Sequence, residues 1–294
     1  MKERKTIDVY QMVTDQIISQ LEQGVVPWRK SWADTGLPQN LITKKTYRGI
    51  NVMLLNSLDY ANKNFLTFKQ LKEIGGSIKT REKPSMIVNW NRFDVEDKAS
   101  NEVLTVQSLV YHLVFNVQQC EGIPENLIQT EGEKSYNPIK LCQDIFANMP
   151  KRPEIKSKGQ KAYYHPGEDF VNVPKMKTFK SVEDYYGILF RELIHSTGHS
   201  SRLFRKELSE HQPLEFPAYS IEELTADIGA CYLKSAGGIL DEEIEDNVTY
   251  IDGWLERLKS DKKLIVHASM EAQKAVDYIL NARSTDNLGG CEFS

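Results

Sequence analysis

With 294 residues, 40% of them hydrophobic and 10% aromatic, the chain carries enough apolar material for two domains of ordinary size. Its longest apolar runs, such as VYHLVF at 110–115, are too short to span a bilayer, and MKERKTIDVYQ lacks the apolar core of a secretory signal. The net charge of −4 hides an asymmetry: residues 1–120 hold 16 Lys+Arg against 12 Asp+Glu, and residues 121–294 hold 21 against 29, so only the first part has the sign suited to a polyanion.

Residues 7–23 set Tyr10, Val13, Ile17 and Leu21 three to four apart, on one helical face, with Gly24 as the C-terminal cap. The loop VVPWRKSWADTGLPQN then gathers Trp28, Arg29, Lys30 and Trp32. TYRGINVMLLNSLDYAN opens with a glycine turn and continues as a second apolar helix, and LTFKQLKEIGG predicts a short helix ended by two glycines. SIKT and SMIVNWNRF predict strands around the basic turn TREKPS, and LVYHLVFNVQQ, at 109–119, a strand that pairs with SMIVNW.

The polar stretch 121–138 marks a boundary. Beyond it, IKLCQDIFANMP predicts a helix and KAYYHPGEDFVNVP two short strands around Pro166-Gly167. SVEDYYGILFRELIHSTG predicts a helix capped by Ser181, with Asp184 three residues on. SIEELTADIGACYL, TYIDGWLERLKSD and LIVHASMEAQKAVDYILNA predict three more helices. The fold class is therefore α+β. Residues 1–125 form helices on a small antiparallel sheet, 138–283 a mostly helical domain with a short sheet, and 284–294 a loose tail. Cys120, Cys142, Cys231 and Cys291 stand far apart with no CxxC, which gives neither a zinc knuckle nor a disulfide framework and leaves a reducing cytoplasm as the expected location.

The decamer FRELIHSTGH, at 190–199, holds most of the zinc-peptidase motif H-E-x-x-H, with Arg191 where the first His belongs. In that motif the two His, four apart on one helix face, bind the metal, and the Glu activates the metal-bound water. Glu192 is then the candidate base and His195 a candidate ligand. Downstream, Glu223 and Asp227 form E-x-x-x-D, the gluzincin arrangement in which the Glu completes the metal shell and the Asp orients a ligand His. Ser201, standing where the other large zinc-peptidase class wants its third His, favours the Glu. Arg191 itself cannot ligate. At about 4 Å and an effective dielectric near 20, its charge repels a divalent ion by on the order of 8 kcal/mol. His199 is an alternative ligand, although Gly198 is placed to end the helix before it.

Single-strand binding asks for cations along the phosphates and flat rings for unstacked bases. Trp28, Arg29, Lys30 and Trp32, then Tyr47 and Arg48 beside a glycine, and Lys69, Lys79, Arg81 and Lys83 supply those types. Trp28 and Trp32 would serve equally as plugs between two helices.

The run DFVNVP, then F-x-S-x-E-D-Y-Y-x-x-L-F-R-E-L-I-H-S-T-G-H-S-S-R-L and EELTADIGA, resembles the ArdC-type antirestriction proteins of conjugative plasmids and transposons. VPWRKSW, YRGINVMLL, TFKQLKEIGGSIKTREKP and FNVQQCEGIP extend the resemblance over about Asp8 to Asn281. It implies an N-terminal domain that binds single-stranded DNA and a C-terminal zincin-like metallopeptidase domain with zinc as cofactor. A restriction endonuclease or another host protein is the implied partner, and no membrane is. The family pattern at the key helix, H-E-L-x-H-x-T-G-H-x-x-R-L, is met except at Arg191, which argues against zinc occupancy and for impaired chemistry. Two other readings stay open: an active zinc peptidase localised by single-stranded DNA, and a replication or transfer accessory protein with a structural C-terminal domain. The Arg191 guanidinium is expected near the metal position, paired with Glu223.

Overall fold

The computed structural model describes residues 7–29, 36–96, 103–128, 137–206, 208, 220–239 and 248–282, so Lys30, Trp32, Cys291 and the 284–294 tail lie outside it. Its helices and sheets are those of an α+β protein. Backbone proximity divides the chain into two units. Of the described residues, 7–15, 37–96 and 103–128 fall in the first, and 16–29, 36, 137–206, 208, 220–239 and 248–282 in the second. No helix among the described residues is long and apolar enough to cross a membrane.

In the first unit a four-stranded sheet has the order β1-β2-β5-β4, with β1 at Gln39–Asn40, β2 at Asn64–Thr67, β4 at Ser85–Glu96 and β5 at Val103–Asn116. The expected pairing of SMIVNW with 109–119 is present and extends from Ser85↔Val114 to Glu96↔Val103. One face buries Phe65, Ile87 and Val114 with Tyr47 and Leu55, the latter on α2 (Ile50–Asn56). The other buries Leu66 and Phe115 with Leu41 and with Leu71 of α3 (Phe68–Glu73). Strand alternation explains the split, because Phe115 and Val114 point to opposite faces. The edge strand β4 is covered in part by α2: the Asn51 amide donates to Val88 O at 2.8 Å and accepts from Val88 N at 2.8 Å. The sequence overstated helix here, since α2 is short and the first residues expected of α3 form β2. Thr67 ends that strand and starts the helix through a reciprocal capping box with Gln70. A two-stranded piece, β3 (Ser77–Ile78) with β6 (Cys120–Glu121), and α4 (Glu125–Ile128) complete the unit.

The second unit contains α5 (Pro138–Asn148), a small sheet, α6 (Val182–Thr197), α7 (Ile221–Gly237), α8 (Val248–Ser260) and α9 (Leu264–Ile279). The sheet joins the two expected strands, β8 (Tyr163–His165) and β9 (Phe170–Asn172), to β7 (Glu154–Lys156), which lies parallel to β9. At three residues β7 is too short to show alternation.

The first helix, α1 (Val9–Leu21), contributes its end, with the loop to Arg29, to the second unit. An expected first domain of 1–125 thus includes a stretch that packs with the helical unit. Its anchor is Trp28, 1% exposed, set edge-on to Trp254 at 5.9 Å between ring centroids. Burial of so large a ring, worth about 3–5 kcal/mol against alanine, outweighs chain order in deciding where the segment packs.

Candidate functional site

Helices α6 and α7 carry the site, and local sequence sets both. Ser181 caps α6 by accepting from Asp184 N at 3.0 Å, and Ser220 caps α7 by accepting from Glu223 N at 3.2 Å. Gly238, at φ 68°, closes α7 in the left-handed conformation that glycine tolerates. The two helices close tightly because Gly229 has no side chain: a Cβ there would lie 2.6 Å from Ile194 Cδ1. That contact holds the carboxylates of the first turns of α7 against Arg191 and His195.

The Arg191 guanidinium meets three carboxylates. Nε donates to Asp227 Oδ1 at 2.9 Å, Nη2 donates to Glu223 Oε2, and Nη1 lies 3.5 Å from Glu192 Oε1. Pairing of Arg191 with Glu223 is thus present as the sequence suggested. Burial alone would lower the pKa of Arg191, but Asp227, Glu223 and Glu192 outweigh it and raise it. Glu192 is 5% exposed and His195 3%.

His195 turns its ring between two neighbouring glutamates. Nδ1 lies 3.0 Å from Glu222 Oε1, and Nε2 lies 3.7 Å from Glu223 Oε1. Glu222, 1% exposed, also receives both prongs of Arg205, Nε to Oε2 at 2.7 Å and Nη2 to Oε1 at 2.6 Å. Arg205, 4% exposed, further donates to Thr197 Oγ1 and to the Ile194 carbonyl. Burial pushes the Glu222 pKa up, but Arg205 and His195 hold it below the ordinary glutamate value. The residue that orients His195 is therefore Glu222, which sequence reasoning passed over. Asp227, expected to orient a ligand His, instead fixes Arg191 at the position where that His would stand.

Three further residues join the cluster. Tyr250 of α8 donates to Asp227 Oδ2 at 2.7 Å and accepts from Trp28 Nε1 at 2.9 Å, while the Arg29 guanidinium lies 3.7 Å over the Tyr250 ring. Burial, then Asp227, raises the Tyr250 pKa, so the phenol stays a donor. Trp28 and Arg29, read in the sequence as DNA contacts, are here parts of the second unit, and Trp28, 1% exposed, presents no open ring face to a base. Its burial against Trp254 and Tyr250 fits the alternative reading of Trp28 as a core plug. His199 stands apart from the cluster, with Nδ1 2.8 Å from Ser201 Oγ and 3.7 Å from Asp169 Oδ2.

Of the other expected DNA contacts, Tyr47 is 3% exposed and packs edge-on against Phe65, which removes it as a stacking surface. Arg48, Lys69, Lys79, Arg81 and Lys83 are exposed on the first unit. Lys79 Nζ donates to the Gln118 carbonyl at 2.8 Å, and Arg81 holds φ 69° in the turn before β4.

A zinc ion fits these residues poorly. The donor set is one imidazole and one carboxylate, and that carboxylate is already bound to a fixed cation. Among the described residues no group of three or more His, Cys, Asp or Glu side chains is arranged to hold a metal ion. The geometry is that of a zincin helix pair whose ligand face is closed by a guanidinium.

Fold and site together define a two-part protein with a zincin-like second unit. Family comparison agrees: residues 143–271 match the model of a zincin-like metallopeptidase, and residues 7–138 that of the N-terminal domain of anti-restriction factor ArdC. The crystal structure of the antirestriction ArdC protein from the R388 plasmid, in its metal-free form, is similar with TM-score 0.74 and 34% identity, covering 93% of this chain and 97% of that one. Its Mn(II)-bound form matches with TM-score 0.74 and 32% identity, covering 94% and 98%. The chain belongs to the ArdC antirestriction family. It is also 28% identical to the uncharacterized protein y4eC of Sinorhizobium fredii, over 95% of this chain and 93% of that protein. The DNA primases TraC of Escherichia coli are 27% and 28% identical over 92% of the chain, which spans only 20% and 27% of their lengths.

Proposed function

We propose that the protein is an antirestriction-type, single-stranded-DNA-binding protein of a mobile element whose zincin-like unit has lost peptide hydrolysis. The observation that carries the reading is the Arg191 guanidinium bound to Glu223 and Asp227 at the first-ligand position of the zincin helix. Removing the ion from a gluzincin shell would leave Glu192, Glu223 and Asp227 facing a largely buried cleft, and uncompensated carboxylates there are costly. Arginine supplies the missing positive charge and a planar fork suited to carboxylates, while withdrawing the Lewis acid. Glu192 then has no polarised water to deprotonate. Zinc, the family's expected cofactor, is held weakly or not at all.

The exposed cations of the first unit support the DNA half of the reading, with affinity that falls steeply as salt rises. A restriction endonuclease or another host protein as partner, and a cytoplasmic location, belong to the same reading. Two measurements on the purified chain test it: metal content after dialysis against zinc, and binding of a labelled oligothymidylate across a salt series. A stoichiometric, tightly held ion would favour an active peptidase. Salt-independent DNA binding, or none, would remove the DNA half.

A further inference from the structure

We infer that the lysine-bearing loops around the end of β9, in the second unit, form a surface that holds the phosphate backbone of nucleic acid. This goes beyond the DNA reading above, which draws on the first unit, and uses none of the residues of the cleft.

Asn172, buried at the end of β9, gathers the lysines. Its Nδ2 donates to the carbonyls of Lys158 at 2.8 Å and Lys161 at 2.6 Å, and its Oδ1 accepts from Lys158 N at 2.9 Å. Val173 N donates to the Lys156 carbonyl at 2.9 Å. After Pro174 the chain runs through a tight helical turn at Met176–Thr178, where Thr178 N donates to the Lys175 carbonyl at 2.8 Å. Lys156, Lys158, Lys161 and Lys175 thus attach within about 10 Å of Asn172, and Lys177 and Lys180 follow on the same turn. All but Lys156 are exposed. Among the described residues, Lys158, Lys175, Lys177 and Lys180 make no ion pair. The carboxylates of the region are engaged. Lys156 Nζ lies 3.5 Å from Glu168 and 3.9 Å from Glu154, and Asp169 receives Arg202. Glu183 and Asp184 occupy the first turn of α6, where the helix N-terminus offsets their charge.

Charge and the lack of an apolar centre select the occupant. With all five of these carboxylates counted, residues 151–184 hold 8 Lys+Arg against 5 Asp+Glu, whereas the remainder of 121–294 holds 13 against 24. A local +3 therefore stands in a stretch whose other residues sum to −11. A protein partner would ask for aromatic or aliphatic anchors, and the cores of such interfaces are poor in lysine. Among the described residues of 151–184, Met176 alone is an exposed large apolar side chain. Tyr163 and Phe179 are half-buried, in edge-to-face pairs with Phe170 and Tyr185, so the rings are turned away from stacking on bases. Lysines are point charges suited to phosphate, and on loops ordered by Asn172 they contact the backbone without reading sequence.

The test is fluorescence anisotropy of the full chain with a labelled DNA duplex of mixed sequence and with a labelled oligothymidylate, across a salt series. Lys175→Glu/Lys177→Glu is compared with Lys262→Glu/Lys263→Glu, which makes the same change of net charge on exposed lysines elsewhere in the second unit. Circular dichroism checks the fold. The first variant is expected to bind at least about tenfold more weakly at physiological salt and to flatten the log–log salt slope by about two, while the second binds as wild type. In parallel, acetylation of the unmodified protein with and without duplex, mapped by mass spectrometry, is expected to show Lys158, Lys175 and Lys177 protected; this arm needs no variant. Loss on one probe alone keeps the surface and assigns it to that form of DNA. Wild-type affinity in the first variant, an equal loss in the second, or no protection overturns the inference. Displacement of the duplex by polyglutamate at equal charge concentration overturns it in favour of an acidic protein. A wild type that binds duplex but no oligothymidylate sinks the single-strand reading and leaves this inference standing, and one that binds neither sinks both.

Discussion

Arg205 and Arg191 bind adjacent glutamates on the same helix, yet their settings differ. Arg205 sits 4% exposed, spends its fork on Glu222, and ties the end of α6 to the start of α7 through Thr197 and the Ile194 carbonyl. Arg191 keeps 28% of its side chain exposed and divides its fork between Glu223 and Asp227. Consecutive helix residues point about 100° apart, so Glu222 turns toward the helix interface and Glu223 toward the cleft. The difference separates an ion pair that supports the fold from one that occupies a site of chemistry.

The largest effect should come from breaking the buried pair. Arg205→Met removes both guanidinium bonds from the buried Glu222 carboxylate and leaves it to His195, with an expected loss of about 3–5 kcal/mol in urea unfolding. Near-neutral behaviour would erase the distinction. Next, Arg191→His should restore a metal site from His195 and Glu223 with the new imidazole. At zinc a hundredfold over its dissociation constant, calorimetry should show a gain of about 2.7 kcal/mol that wild type lacks. If the variant still purifies without metal and gains nothing, Glu223 is not a ligand.

Arg191→Leu should cost less, about 1–2 kcal/mol without metal, because the Glu223 and Asp227 side chains are 21% and 18% exposed and stay partly hydrated. Tyr250→Phe removes one hydrogen bond to Asp227 and one from Trp28, and should cost about 1 kcal/mol, read as a shift in the urea midpoint. The finest comparison is in acid. The folded pKa of Glu222 lies below its unfolded value, so its contribution is complete above the unfolded value, about 4.3, and fades as pH falls through the lower folded one. Wild type should lose that increment below about pH 4, and Arg205→Met should show a flatter acid limb over the same range.

Much of the site was legible because helix periodicity is local. The cap at Ser181, the placement of Arg191, Glu192 and His195 on one helix, and the charge complementarity that pairs Arg191 with Glu223 all follow from spacing and chemistry within short stretches. The β4–β5 pairing was legible too, since a long apolar strand needs a partner. The role of Glu222 was not. In E-E-x-x-x-D either glutamate suits the pattern, and only the approach of α6 at Gly229, with Arg205 arriving from beyond the helix end, decides which one faces His195.

The chain by itself therefore determined the family, the α+β class, and the replacement of a zinc ligand by a cation, because these reside in residue identity and short periodicities. Only the tertiary structure decided that Trp28 and Tyr47 are core rather than stacking surface, that residues 16–29 pack with the zincin-like unit, and that Asn172 draws lysines to the end of β9. An aromatic beside a cation reads the same buried or exposed. What separates the two is which surfaces come to cover the ring, a long-range outcome of packing that no local pattern encodes.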